Sequence, residues 1–228
     1  MKKMRSTLVL LLALIVFQNA QAQKNQIFFN ASVLSQPNEF HFPAGWPGNG
    51  LNKQPAIEFN LGYISSIGKT NVFWEASISN QYVQSSHTFE NNHQSNDPAI
   101  PDKAIFKDVS NILGLKAGIG YKIGSDKGKH SLKVVAGAAG YLPFLSKTKT
   151  KFDDGDWQKS PSYIEDNFKY GILYGFYLKP TYQLRFKRNN PWAMHIFGEA
   201  NLLWRNEADY GNPLLMAGGG IGFSYSLN

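Results

Sequence analysis

The chain has 228 residues, a formal net charge of +7, no cysteine, 21 glycines and 14% aromatic residues. The lack of cysteine excludes disulfides, thiolate metal sites, a Cys lipid anchor and Cys-based catalysis. The basic residues are scattered or alternate with acids, which excludes the concentrated basic stripe of a nucleic-acid-binding face.

The N-terminus reads as an export signal. Lys2, Lys3 and Arg5 form a basic start, Thr7 to Phe17 is an apolar stretch, and Ala20-Gln21-Ala22 has the small-x-small form of a signal-peptidase site. The apolar stretch is shorter than the roughly 20 residues of a spanning helix. Cleavage after Ala22 is predicted, with residues 1–22 as signal peptide and 23–228 as one domain. Loss of the three basic residues lowers the charge from +7 to +4. No later run is apolar enough for a transmembrane helix.

From Gln26 onward the sequence alternates with a period of two, as strands with unlike faces do. Eight such segments are predicted. Gln26 to Ser35 sets Ile27, Phe29, Ala31 and Val33 against Asn30 and Ser32. Ala56 to Ile67 sets Ile57, Phe59, Leu61 and Tyr63 against Glu58, Asn60, Gly62 and Ser66. Asn71 to Gln84 sets Val72, Trp74, Ala76, Ile78 and Tyr82 against Glu75, Ser77, Ser79 and Gln81. Val109 to Ile123 sets Leu113, Leu115, Ala117, Ile119 and Tyr121 against Lys116, Lys122 and three glycines.

Ser131 to Leu145 sets Leu132, Val134, Ala136, Ala138, Leu142 and Phe144 against Lys133, Gly137, Ala139 and Tyr141. Lys169 to Lys187 sets Tyr170, Ile172, Tyr174, Phe176, Leu178, Tyr182, Leu184 and Phe186 against Gly171, Gly175, Lys179, Thr181, Gln183 and Arg185. Pro180 lies inside this segment, and Pro is tolerated in sheets at edges or bulges. Pro191 to Asn206 sets Trp192, Met194, Ile196, Gly198, Ala200, Leu202 and Trp204 against His195, Glu199 and Arg205. Leu214 to Leu227 sets Leu215, Ala217, Ile221, Phe223, Tyr225 and Leu227 against Gly218, Gly220, Gly222, Ser224 and Ser226.

The connections alternate in length. Long or medium segments, Gln36–Pro55, Ser85–Lys107, Ser146–Phe168 and Asn206–Pro213, follow the odd strands. Short ones, around Gly68, Gly124 to Lys129 and Arg188 to Asn190, follow the even strands. Membrane barrels have this order of short turns at one end and long loops at the other.

Alternation also describes a soluble sandwich or a lipocalin-like barrel with the apolar face inward. Three features place that face outward. Most segments run ten residues or more, against five or six in typical globular strands. The polar faces carry mainly Gly, Ser, Ala, Asn and Thr rather than the Lys and Glu of a solvated face. The aromatics also sort by depth, as rings do at two membrane interfaces. One rim collects Tyr63, Trp74, Tyr121, Tyr182, Trp192, Phe223 and Tyr225, and the other Tyr82, Phe144, Tyr170 and Trp204. Trp192 and Trp204 would stand on the order of 30 Å apart along the axis of a barrel with tilted strands.

These features, with the closing GGGIGFSYSLN, resemble the small eight-stranded outer-membrane barrels of the OmpA-transmembrane, OmpX and PorT-like type. The resemblance covers Gln26 to Asn228 and rests on pattern. It implies an all-β, eight-stranded antiparallel up-and-down transmembrane barrel in the outer membrane of a Gram-negative bacterium. Its implied partners are outer-membrane lipid and lipopolysaccharide, the barrel-insertion machinery, and an envelope protein docking through the loops. Ile221, Phe223, Tyr225 and Leu227 resemble the final-strand signal read by that machinery, although the chain ends in Asn228 rather than an aromatic. The expected role is structural, adhesive or in envelope integrity. A secretion or assembly accessory and a lipid A-modifying enzyme are the alternatives.

On this reading Glu58, Glu75, Lys116, Lys133, Lys179, Arg185, His195, Glu199 and Arg205 face inward. An eight-stranded bore is just wide enough to be filled by side chains, which argues against a general porin. Enclosed charges must be paired. His195 and Glu199 lie about 13 Å apart along one strand, so each is expected to find its partner on a neighbouring strand. The inward glycines are expected to make room for long Lys and Arg chains. No nucleophile–base pair can be assembled from spacing, and no cofactor or metal site is predicted. Asp153, Asp154 and Asp156 lack the spacing of a calcium loop. Lys147, Lys149 and Lys151 sit where lipopolysaccharide phosphates could be touched, but the register of their strand places them on the inward side.

Overall fold

The computed structural model describes residues 25–36, 52–68, 70–90, 103–124, 128–153, 155–160, 172–187, 190–204 and 213–227. Residues 1–22, expected as a signal peptide, lie outside these residues, as do Tyr170, Arg205, Asp154 and most of the first long connection. The described residues form ten strands: β1 (Asn25–Leu34), β2 (Asn52–Lys53), β3 (Ala56–Ser66), β4 (Val72–Glu90), β5 (Lys103–Ile123), β6 (His130–Phe152), β7 (Gln158–Ser160), β8 (Leu173–Arg185), β9 (Trp192–Trp204) and β10 (Leu214–Leu227). Eight of them close into a ring in the order β1-β3-β4-β5-β6-β8-β9-β10, every neighbour antiparallel. The first and last long strands complete it, with Ala31 facing Ile221 on one side and Phe59 on the other. β2 adds to β4 and β7 adds to β6 outside this ring.

Alternation decides which side of the wall each residue meets. Ile27, Phe29 and Val33 point out while Phe28, Asn30 and Ser32 are buried. The same rhythm runs around the wall to Ile196 and Phe176, which keep 55% and 65% of their surface exposed. The apolar face is therefore the exterior. The short turns gather at one end. In the first, Gly68 takes φ +62°, a left-handed conformation that glycine adopts without a Cβ clash. Thr70 Oγ1 donates to Ile67 O at 2.6 Å there and accepts from Val72 N at 3.2 Å.

At the other end the strands outrun the expectation. β4, β5 and β6 have 19, 21 and 23 residues, whereas β1, β3, β8, β9 and β10 have 10 to 14. Residues 85–90 and 103–107, expected in a loop, are strand, and together with 146–152, where the lysine run is expected as a strand edge above the membrane, they form a sheet rising beyond the ring. Residues 85–88 and 146–151 are polar on both faces, and 103–107 carries Ala104, Ile105 and Phe106 on successive positions, so apolar alternation marks none of them. Asp153 closes the outer end of this sheet: its Oδ1 accepts from Lys103 N at 2.8 Å and its own N–H donates to Lys103 O at 2.8 Å.

A bulge corrects the facing of the lysine run. Asn111 of β5 faces Leu145, but Ile112 faces Pro143, so Phe144 is an extra residue in β6. One inserted residue reverses which face every later side chain takes. Below the bulge Leu142 points outward; above it Leu145, Lys147 and Lys149 do, while Thr148 and Thr150 are buried. Pro143, which has no N–H to give, sits at the irregularity. Pro180 sits in a gap of the β8–β9 ladder that leaves the register unshifted: the pairing stops at Leu178–Ala200 and resumes at Thr181–Phe197.

The inward glycines also serve a different purpose from the one expected. On β3 and β5 rings, not lysine stems, lie above them, whereas Gly218 and Gly220 of β10 lie against the β1 backbone. A Cβ on Gly62 would meet the Phe28 ring at 2.2 Å, and one on Gly120 would meet Phe73 at 2.3 Å. A Cβ on Gly114 would meet Ser79 Oγ at 2.3 Å and the Tyr141 ring at 2.8 Å. Part of the interior is thus filled by the rings of Phe28, Phe73 and Tyr141 seated on glycine backbone of β3 and β5.

Single cysteines at 147 or 149 are expected to react with a polar maleimide, and cysteines at 148 or 150 to be protected. Deleting Phe144 is expected to exchange the two sets. Unchanged labelling after the deletion would show that the bulge does not set the register.

Candidate functional site

The most ordered chemistry in the molecule is a pair of charge clusters spanning the bore. In the first, Lys116 of β5 reaches Glu58 of β3, Nζ to Oε1 2.7 Å, and also bonds Glu199 of β9. Gln81 Nε2 donates to the second oxygen of Glu58 at 2.6 Å, and Ser79 Oγ donates to it at 3.3 Å. Asn201 Nδ2 donates to Glu199 Oε1 at 2.8 Å, and the Tyr141 hydroxyl donates to Asn201 Oδ1 at 3.2 Å. The Lys116 ammonium also lies 5.8 Å from the Tyr141 ring centroid. In the second cluster Lys179 of β8 bonds Glu75 of β4, with its ammonium 4.6 Å from the Phe28 ring.

Burial explains the number of partners. A charge removed from water costs several kcal/mol unless it is paired and its remaining hydrogen-bonding sites are met. Two carboxylates share one ammonium in the first cluster, and the amides of Gln81 and Asn201 supply extra donors. The expectation that Glu199 and His195 find neighbouring-strand partners is corrected. Glu199 meets Lys116 across the bore, because long side chains from opposite walls touch in a ring this narrow. His195 Nε2 donates to Asn30 Oδ1 of β1, two strands away. Gly222 of the intervening β10 makes this passage possible: a Cβ there would lie 2.4 Å from Nε2 and 2.2 Å from Oδ1.

The other expected interior residues are placed as follows. Lys133 is buried and donates to Gln26 Oε1 at 2.8 Å, with the Phe73 ring 5.8 Å away. Arg185 is half-buried at the turn end of β8. Gln26, Asn30, Gln81, Tyr141 and Asn201 join the network and were not singled out from the sequence. Their inward parity is readable there, but which of them meet depends on the ring register. Two internal cavities of about 20 Å³ each remain, one beside Lys179, Glu75 and His195 and the other beside Lys133 and Gln26. Each has room for one or two waters. Among the described residues no group of three or more His, Asp or Glu is arranged to hold a metal ion.

The exterior aromatics form contacts at two levels. At the turn end Tyr63 lies 5.3 Å from Trp74, and Trp192 meets Tyr225 edge-on at 5.0 Å, between ring centroids. Tyr182 stacks on His130, whose Nδ1 lies 2.6 Å from its hydroxyl, and Tyr121 is opposite Val72. Phe223 sits one outward step above Tyr225, opposite Phe29 and Met194. At the other level Trp204 meets Phe176 edge-on at 5.9 Å, Tyr82 faces Ile57, and Phe144 is the bulge residue.

No family model and no curated protein matches the sequence. Three solved structures resemble the chain at low identity. Neisserial surface protein A (NspA) is 8% identical over 90% of this chain and 97% of its own, with a TM-score of 0.43. Ail, the attachment invasion locus protein of Yersinia pestis, is 16% identical over 90% and 97%, with a TM-score of 0.35. The N-terminal β-barrel domain of Pseudomonas aeruginosa OprF is 12% identical over 89% and 99%, with a TM-score of 0.37.

Lys116→Met leaves two buried carboxylates facing each other, and is expected to lower the unfolding free energy by about 3–5 kcal/mol. Adding Glu58→Gln and Glu199→Gln is expected to recover most of that loss in urea titrations of the folded protein. No recovery would mean that Lys116 acts through packing alone. In the sheet beyond the ring, burial raises the Asp108 carboxyl above its ordinary range, partly offset by the Thr148 hydroxyl that donates to it. A raised acid favours the fold while protonated, and that stabilisation is lost as pH rises through the folded-state value. Asp108→Asn is therefore expected to make the hydrogen-exchange protection of amides around residue 108, corrected for the intrinsic exchange rate, less dependent on pH just above the ordinary carboxylate range.

Proposed function

We propose that the chain spans the outer membrane of a Gram-negative bacterium as a closed, filled barrel and acts through its outer end, in a structural, adhesive or envelope-integrity role. The observation that carries this reading is the inversion of its faces. Large apolar side chains stay exposed all around the wall, from Ile27 and Phe29 to Leu215 and Ile221. Glu58, Glu75, Lys116, Lys133 and Lys179 are meanwhile buried inside. A continuous apolar belt of this kind is unstable in water and stable in hydrocarbon. Ring closure supports the same reading, since every strand in lipid must have its backbone groups paired.

The filled bore argues for a scaffold rather than a general porin. A non-enzymatic role is supported by the commitment of each interior glutamate to a lysine. In this reading the insertion machinery engages β10, which presents Ile221, Phe223, Tyr225 and Leu227 on its outer face. The long-strand end faces outside, and the sheet built from β4, β5 and β6 carries contact with the surroundings.

The folded protein in micelles is expected to migrate differently on a gel before and after boiling, and cells are expected to hold it in the envelope fraction. Identical migration together with a soluble periplasmic location would sink the proposal. Ile196→Arg, which puts a charge on the outer wall, is expected to impair insertion by about 2–4 kcal/mol. It should do so more than Asn201→Ser, which alters an inward residue; the opposite ranking would mean that the wall faces lipid with its other side.

A further inference from the structure

Above the bulge at Phe144, lysines from three strands lie abreast on the outward face of the projecting sheet. Lys107 of β5 is directly opposite Lys149 of β6, and Lys149 is directly opposite Lys159 of β7. Residues so paired have Cα atoms about 4.5–5.5 Å apart. Like charges at that spacing repel and weaken the sheet. Lys147 stands on the same face, one outward step nearer the ring and opposite Val109. All four are exposed, and among the described residues none forms an ion pair with an acid. The exposed Trp157 ring lies 4.7 Å from the Lys107 ammonium.

Position narrows what could neutralise this row. On β6, Leu145 is the last outward apolar residue before the lysines and is 56% exposed. Lys147 follows it by about 7 Å along the strand and Lys149 by about 13 Å. The row therefore begins where the apolar belt ends, and it faces sideways, away from the bore. The opposite face of the same sheet buries Asp108, Thr148 and Thr150. The charge is thus confined to the side that continues the lipid-facing wall.

We propose that Lys107, Lys149 and Lys159, with Lys147, form a binding site for the phosphate groups of anionic lipid in the leaflet around the barrel's outer rim. A phosphorylated glycolipid of the outer leaflet is the occupant that this height selects. Its phosphates remove the repulsion among the lysines, and its acyl chains lie against the apolar wall directly below. Lysine serves such a site as a point charge. Trp157 supplies a ring at the level where amphipathic rings favour an interface. The site rests on the membrane-spanning reading of the barrel.

The test uses the full chain folded in detergent micelles. Binding of diphosphorylated lipid A is measured by titration and compared with dephosphorylated lipid A and with soluble heparin. The wild type is expected to prefer the diphosphorylated form. Lys149→Glu with Lys159→Glu is expected to weaken that binding by more than tenfold, from about fivefold for each charge removed. Lys187→Glu, at the turn end, should leave it unchanged. Lys149→Gln with Lys159→Gln provides the same comparison if charge reversal prevents folding. Equal affinity for both lipid A forms, or unchanged binding by the double variants, overturns the site. Tighter binding of heparin than of lipid A overturns the lipid assignment. Gel mobility before and after boiling separates the two levels: a wild type with no heat shift fails the membrane reading itself. A normal heat shift with unaltered lipid A binding in the double variants overturns only the lysine row.

Discussion

Closure of eight strands into one ring is the constraint on which everything else depends. It leaves the long strands of the wall with a hydrogen-bonded neighbour on each side, from β1 paired to β10 through to β8 paired to β9. An unpaired backbone group in hydrocarbon costs several kcal/mol, so only a wall without edges can present Ile, Leu and Phe outward along its whole circumference. Closure also makes the bore narrow. The interior must then be filled from the inward side chains alone, and little volume is left over. Rings resting on glycine backbone and ammonium groups bridging opposite walls are two solutions to that packing problem.

The charges inside are costly components, and their arrangement shows how the cost is contained. Lys116 has both carboxylates and the Tyr141 ring around it, while Lys179 has Glu75 and the Phe28 ring. Each of these two ammonium groups is thus held by an acid and faced by an aromatic ring, with partners from strands that do not pair with one another, while Lys133 rests on the Gln26 amide oxygen and the Phe73 ring. Such bridges do for the bore what the hydrogen-bonded ladder does for the wall: they fix the distance between opposite sides. Replacement of an ion cluster by well-packed apolar groups is often neutral or stabilising in other proteins. Here the alternation of faces would have to be given up with it, because an apolar interior would leave the sheet with no distinction between inside and outside.

Much of this was legible in the amino-acid sequence. The segment from Trp192 to Trp204 shows why: thirteen residues alternate without interruption, and both the strand and its outward face follow. The inward parity of Glu58, Glu75, Lys116 and His195 follows by the same rule. What could not be read was anything fixed by the partner strand. Phe144 looks like any other outward aromatic until Asn111 and Ile112 show it to be supernumerary. Only then do Lys147 and Lys149 change sides. Likewise Asn30 could not be assigned to His195 before the ring placed β1, β10 and β9 in succession with a glycine in the middle. The projecting ends of β4 and β5 escaped for a different reason: Ser85 to Thr88 is polar on both sides and Ala104-Ile105-Phe106 is apolar on both, so neither has a two-residue period in hydropathy.

The seam between β1 and β10 has a kinetic meaning. Asn25 is paired with Leu227, near the two ends of the chain. The ring therefore cannot shut until the last strand has been made. All earlier states have two open edges and an apolar face with nothing to cover it, the combination most prone to aggregate. Contacts this distant in sequence also form slowly, because a loop of nearly the whole chain must be closed first. A polypeptide built this way needs protection between synthesis and closure, and its wall is finished only when all eight strands of the ring are present.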